Sequence, residues 1–236
     1  MSFANPVYCA LDTPDMTQAR GLARRLAPHI GGVKIGMEYF YATGEAGYRA
    51  IAEHNIPVFL DLKLHDIPNT VASAVRALTP LEPAILNVHA GGGEAMMRAA
   101  VAAAKDYDGQ QPLMIAVTVL TSLEEADLHQ MGISGTPQDQ VLRLAELAQT
   151  AGMQGVVCSA HEIEALRATC GPDFKLIVPG IRPAASPTHD QKRVMTPEQA
   201  KTAGADILVI GRAITGAEDP VATAQAIQTS LTAQQV

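Results

Sequence analysis

The sequence contains no tryptophan, four phenylalanines and five tyrosines. A stacking platform for single-stranded nucleic acid, or an aromatic cage for a cation, has little material to be built from. Basic residues are also in deficit: 17 Lys and Arg against 24 Asp and Glu leave a formal net charge of −7. That balance disfavours a nucleic-acid polymer as a partner. The three cysteines, Cys9, Cys158 and Cys170, are far apart and form no C-x-x-C. Neither a disulfide framework nor a zinc knuckle is indicated, and the thiols read as small hydrophobes in a reducing cytoplasm. No apolar run reaches the roughly 18 residues of a membrane span. The start, MSFANPVYCALDTPD, lacks the basic and apolar regions of a signal peptide. What remains is a globular composition, 47% hydrophobic and 17% charged over 236 residues.

Short apolar runs alternate with longer Ala-, Leu-, Glu- and Gln-rich segments along the whole chain. Residues 7–11, 33–35, 58–62, 85–88, 114–119, 155–158, 176–178 and 207–210 are expected to be strands. Each is too continuously apolar to have one wet face, which is the pattern of buried parallel strands. Helical patterns such as residues 16–26, 94–105 and 138–150 separate them. Eight such repeats predict a single α/β domain over residues 1–236, a (β/α)8 TIM barrel. A doubly wound sheet is the rival, but CALDTPD stands where a G-x-G-x-x-G would follow the first strand. One segment breaks the rhythm. Residues 180–195, GIRPAASPTHDQKRVM, form a long polar loop at the C-terminal end of strand seven, where a mobile lid is expected.

The most informative stretch is VFLDLKLHDIPNTV. With a strand period of two, Asp61 and Lys63 share a side while Leu60, Leu62 and Leu64 face the helices. Asp66 follows the strand end, and Asn69 or Thr70 is expected to open the next helix. Lys34 on the neighbouring strand and Asp12 after strand one add a second ammonium and a third carboxylate. A salt-bridge network closing the barrel end is one reading. All lie at C-terminal strand ends, however, where barrel enzymes place their chemistry. Neighbouring carboxylates keep a lysine protonated, so Lys63 suits proton donation and anion stabilisation better than Schiff-base formation.

A second constellation lies in VIGRAITGAEDP after strand eight. Gly211 and Arg212 stand where a short helix begins, and backbone N–H groups with a guanidinium suit a phosphate. Arg182 and Gln191 in the long loop are placed to close over it, while Lys192 and Arg193 read as solvated charges. Gly91, Gly92 and Gly93 precede no P-loop lysine and point to tight packing. The seven histidines show no metal-ligand spacing. His65 reads as structural, His89 as orienting its neighbours, and Tyr39, Phe40 and Tyr41 as packing.

DLKLHDIPNTV, NVHAGGG, VTVLTS, VPGIRP, DQKRVMTP and GADILVIGRAIT, in this order, resemble bacterial orotidine 5′-phosphate decarboxylases along essentially the whole chain. One departure is Ala213, where that family usually has proline. The resemblance implies a cofactor- and metal-free decarboxylation of orotidine 5′-phosphate to UMP and CO2 in pyrimidine biosynthesis. It implies Lys63 as proton donor to C6, Asp61 against the departing carboxylate, and Asp12 and Lys34 on the ribose, with Lys34 and Asp66 completing the catalytic charge array. It further implies Thr121 and Ser122 at the pyrimidine, and Arg182, Gln191, Gly211 and Arg212 at the phosphate. Asp66, Ile67 and Thr70 would belong to substrate binding, with Asp66 and Thr70 reaching the neighbouring site of a homodimer. Two alternatives stay open. A metal-dependent sugar-phosphate lyase of the same superfamily would carry an acidic ligand where Lys34 stands. A silent nucleotide sensor would bind UMP without turnover.

Overall fold

The alternation of apolar runs and amphipathic segments folds as a closed barrel in the computed structural model, which describes residues 4–183 and 195–233. Eight parallel strands close in sequence order, the first pairing with the last. They are β1 (Val7–Ala10), β2 (Gly32–Gly36), β3 (Val58–Leu64), β4 (Ile85–His89), β5 (Leu113–Val117), β6 (Gly155–Val157), β7 (Lys175–Pro179) and β8 (Ile207–Ile210). All eight expected strands are present. β5 ends two residues early: the Thr118 N–H still bonds Val157, but its hydroxyl turns to the same carbonyl, 2.8 Å away.

Burial on both faces explains why the strands are apolar throughout. Along each strand, alternate residues serve two separate layers. Tyr8, Phe59, Ile85, Ile115, Ile177 and Ile207 fill the barrel interior. Val33, Ile35, Leu60, Leu86, Val88 and Leu208 pack outward against the helices. The helices begin where the sequence supplies caps and acceptors. Asp15 accepts from Thr17 and Gln18, Asp219 from Val221 and Ala222, and Thr136 and Thr196 form capping boxes before prolines. The helix after β3 departs from expectation. It starts at Pro68, with Ile67 as N-cap, rather than at Asn69 or Thr70. Proline is preorganised for the first helical position and its missing N–H costs nothing there.

The remaining sequence readings divide. Cys9, Cys158 and Cys170 are free and buried, and burial pushes the Cys9 thiol up to about 12. A Cβ on Gly92 would come within 2.4 Å of Met96, so tight packing explains Gly92, whereas Gly93 has open space around it and is required by its left-handed φ of 83. Tyr39 is fully buried and donates to the Gly47 carbonyl, but Tyr41 is exposed. No helix among the described residues is long and apolar enough to cross a membrane.

Among the strand glycines, Gly155 sits tightest against backbone: an added Cβ would lie 2.3 Å from the Lys175 carbonyl oxygen of the adjacent strand. Gly155→Ala should destabilise the fold by about 1–3 kcal/mol. Urea unfolding should show a lower midpoint with an unchanged slope.

Candidate active site

The inward-facing positions change character at the C-terminal end of the barrel. Between outward Val33 and Ile35, β2 turns Lys34 inward; between Leu60 and Leu62, β3 turns Asp61 inward. The resulting chain of charges alternates in sign. Lys34 Nζ lies 3.1 Å from Asp12 Oδ1 and 3.5 Å from Asp61 Oδ2, and Lys63 Nζ lies 2.7 Å from Asp61 Oδ1. Asp61 is only 8% exposed. Gly36 leaves the space that the Lys34 ammonium needs, since a Cβ there would come within 3.1 Å of Nζ.

Lys63 reaches this cluster by a route that strand periodicity does not describe. The β3–β4 register runs from Leu60↔Leu86 to Leu64↔Val88, so three residues of β3 face Asn87 alone. Such a bulge bends the strand and re-aims its side chains. At its last position Lys63 has φ 52, in the left-handed region. A non-glycine residue held there stores about 1–3 kcal/mol of strain, which the surroundings must overcome. Asn87, fully buried on β4, supplies part of that hold: its Oδ1 accepts the Lys63 N–H at 2.8 Å, and its Nδ2 donates to Asp61 Oδ1 at 2.6 Å. Sequence reasoning missed Asn87. The available signal was a polar residue at an inward position between two apolar ones, in ILNVH.

Burial by itself would raise the Asp61 carboxyl. The ammonium groups of Lys34 and Lys63 and the hydrogen bonds from Lys63 and Asn87 outweigh it and hold the group below the usual carboxylate range. On the far side of Asn87, His89 ends β4 and stacks on His65, with ring centroids 5.2 Å apart. Burial, then the neighbouring His65 and Lys63, lower His89, and its Nδ1 accepts the Gly91 N–H. Both histidines therefore do what the sequence suggested: His89 orients a turn, and His65 packs against it.

Two adjoining cavities open at this face. One, of about 200 Å³, is lined by Asp61, Lys63, Thr121, Cys158 and the apolar Phe59 and Val119. The other, of about 160 Å³, is lined by Asp12, Arg182, Gly211, Arg212 and Ala213. Lys34, Pro179 and Val209 belong to both. Gly211 precedes a four-residue helix, Arg212–Thr215, and packs closely on Ala10. Arg182 is buried, and its N–H bonds the Met195 carbonyl, which ties together the two ends of the long segment. Gln191, Lys192 and Arg193, with the rest of 184–194 and hence most of the expected lid, lie outside the described residues.

Four expected site residues do not join these cavities. Asp66, Ile67 and Thr70 are exposed at the start of the helix Pro68–Leu78, with Asp66 Oδ1 accepting the Ile67 N–H. Ser122 is exposed beside Thr121. Among the described residues no group of three or more His, Cys, Asp and Glu side chains could hold a metal ion.

Known proteins share both the sequence and this architecture. Residues 5–227 match the Orotidine 5′-phosphate decarboxylase / HUMPS family. An orotidine 5′-phosphate decarboxylase of Paramagnetospirillum magneticum is 53% identical, covering 96% of this chain and 98% of its own. One of Rhodospirillum rubrum is 54% identical, covering 94% and 92%. The crystal structure of orotidine 5′-phosphate decarboxylase from Lactobacillus acidophilus superposes with a TM-score of 0.86 at 37% identity, covering 96% and 99%. The chain, with its eight-stranded barrel and its Asp-Lys array at the C-terminal mouth, belongs to the orotidine 5′-phosphate decarboxylase / HUMPS family.

Proposed function

We propose that this chain decarboxylates orotidine 5′-phosphate to UMP and CO2, a step of pyrimidine biosynthesis, using its own side chains alone. The observation that carries this reading is the Asp12–Lys34–Asp61–Lys63 array beside a second cavity lined by two arginines. Loss of CO2 leaves an electron pair in the ring plane at C6, where conjugation cannot spread it. Enzymes lower barriers by roughly 8–23 kcal/mol, and a reaction without an electron sink needs the upper part of that range. Fixed charge is the means available here. Lys63 stabilises the developing carbanion and then delivers its proton to C6. The C6–carboxylate bond breaks, CO2 departs, and the new C–H bond takes the lysine proton. Asp61 faces the departing carboxylate and holds the Lys63 ammonium in place, 2.7 Å from its Oδ1.

The rest of the substrate is distributed over the neighbouring groups. Thr121 contacts the pyrimidine, with Ser122 beside it reaching in from the cavity edge, and Asp12 and Lys34 bind the ribose hydroxyls. Arg182, Arg212 and the backbone at Gly211 hold the phosphate, remote from the reacting carbon. Binding energy gathered there presses the ring against the charges. Ala213 in place of proline leaves the helix start less preorganised, with a modest effect on phosphate affinity. The exposure of Asp66, Ile67 and Thr70 on a single chain is what a shared site in a homodimer requires, with Asp66 and Thr70 completing the partner's ribose subsite. Three free, buried thiols suit residence in a reducing cytoplasm.

A metal-dependent lyase reading is disfavoured by Lys34. Its ammonium sits between the two carboxylates that would otherwise face a cation. A silent sensor would have no use for a strained Lys63 held at φ 52.

Purified protein mixed with orotidine 5′-phosphate and chelator should deplete the pyrimidine absorbance. Lys63→Ala should lose more than about 10³-fold in kcat. Turnover that survives this substitution, or that requires a divalent ion, would reject the mechanism. Arg212→Ala should raise KM by about ten- to a hundredfold, as expected for a lost charged hydrogen bond.

Site sharing is tested by complementation. Lys63→Ala and Asp66→Asn chains, each inactive alone, should recover about a quarter of wild-type activity when refolded together in equal amounts. Half the dimers are then hybrids, each with one intact site. No recovery would place Asp66 in its own chain's site or outside the site.

A further inference from the structure

Asn87 touches neither cavity, yet its two amide atoms connect the reacting array to the backbone that carries it. We propose that Asn87 is a positioning residue for decarboxylation: its amide holds the Asp61 carboxylate toward Lys63 and locks the Lys63 backbone in the left-handed turn that aims its ammonium into the cavity. This inference rests on the decarboxylase reading.

The geometry leaves the amide one orientation. The Lys63 N–H can only donate, so it must meet Oδ1; the ionised Asp61 can only accept, so it must meet Nδ2. A flipped amide would set donor against donor and acceptor against acceptor. The bulge creates the need. With three β3 residues opposite Asn87, the Lys63 N–H is out of step with the β4 backbone ladder, and the Asn87 side chain takes its place. No other side chain of this size meets both demands. Leucine would leave the Lys63 N–H without its acceptor and Asp61 one donor short in a buried place. Aspartate could accept from Lys63 but would set a second carboxylate against the first.

Asn87 also acts on charge. The groups facing Asp61 are Lys34 from β2, Lys63 from its own strand and Asn87 from β4, with Asp12 beyond Lys34 and His89 two residues past Asn87. Losing the amide donor removes one of the interactions that keep Asp61 ionised, so its titration moves upward.

The test compares wild type, Asn87→Ala and Asn87→Asp for turnover of orotidine 5′-phosphate and for binding of UMP between about pH 5 and 8. Asn87→Ala should lose about 10²-fold in kcat, the scale of a misplaced reacting group, while UMP affinity stays within about twofold. A kcat within about twofold of wild type, or losses in kcat and UMP affinity that run in step, would overturn the proposal. Asn87→Asp carries the test if the alanine variant fails to fold. Its introduced carboxylic acid, once protonated, donates to Asp61 as the amide did. Activity relative to wild type should therefore rise as pH falls, and a flat ratio overturns the proposal. Carboxyl carbon NMR of Asp61 in the unliganded proteins gives a readout independent of turnover. Inactive wild type would reject the decarboxylase reading, whereas an Asp61 titration unmoved in Asn87→Ala would reject the role of Asn87.

Discussion

Asp61 is a carboxylate taken almost wholly out of water, and the organisation of the barrel mouth follows from how its charge is compensated. Desolvation alone would neutralise it. Three donors prevent that: Lys34 from β2, Lys63 from β3 and Asn87 from β4. Each comes from a different, adjacent strand, so the same contacts that stabilise the charge also fix the spacing of the strand ends. Breaking one partner of such a buried set typically costs about 3–5 kcal/mol, because the remaining charge is left uncompensated. A chain that keeps Asp61 ionised therefore keeps its site assembled.

The apolar layer beneath makes this polar layer possible. Tyr8, Phe59, Ile85, Ile115, Ile177 and Ile207 exclude water from below, so that the ion pairs at the mouth act in a medium of lower dielectric than the solvent above. Parallel closure brings every strand's C-terminal end to one rim. Asp12 after β1 and Arg212 after β8 are 200 residues apart in sequence, yet they line one cavity because β1 pairs with β8. Closure of the barrel, more than any local motif, joins the carboxylate end of the chain to the guanidinium end.

Much of this was legible before any coordinates. Eight continuously apolar runs encode two-sided burial, and period two places Asp61 and Lys34 correctly because the β2–β3 pairing is regular through both. Legibility ends where regularity ends. Period two puts Lys63 on the right side, but nothing in DLKLHD announces a bulge or a left-handed lysine, since both arise from pairing with β4. Asn87 escaped for the same reason: its role is defined by two partners 24 and 26 residues away. The start of the helix after β3 was misplaced because Asn69 and Thr70 are good caps in isolation. Pro68, already preorganised for the first helical position, prevailed. Asp66, Ile67 and Thr70 lie on the surface of the single chain, where neither period nor spacing distinguishes a functional residue from a solvated one.

The wall shared by the two cavities has a consequence for selectivity. Lys34, Pro179 and Val209 stand between an ammonium-lined recess and a guanidinium-lined one, so the pair works as a gauge of length. A molecule that fills one recess collects one set of charges and leaves the other set to water. On the proposed function, a molecule with an anionic group at each end, separated by about the gap between the ends of β3 and β8, engages both. Discrimination of this kind needs no unique contact to any atom. For the proposed substrate it is set by the distance between β3 and β8 across the barrel mouth.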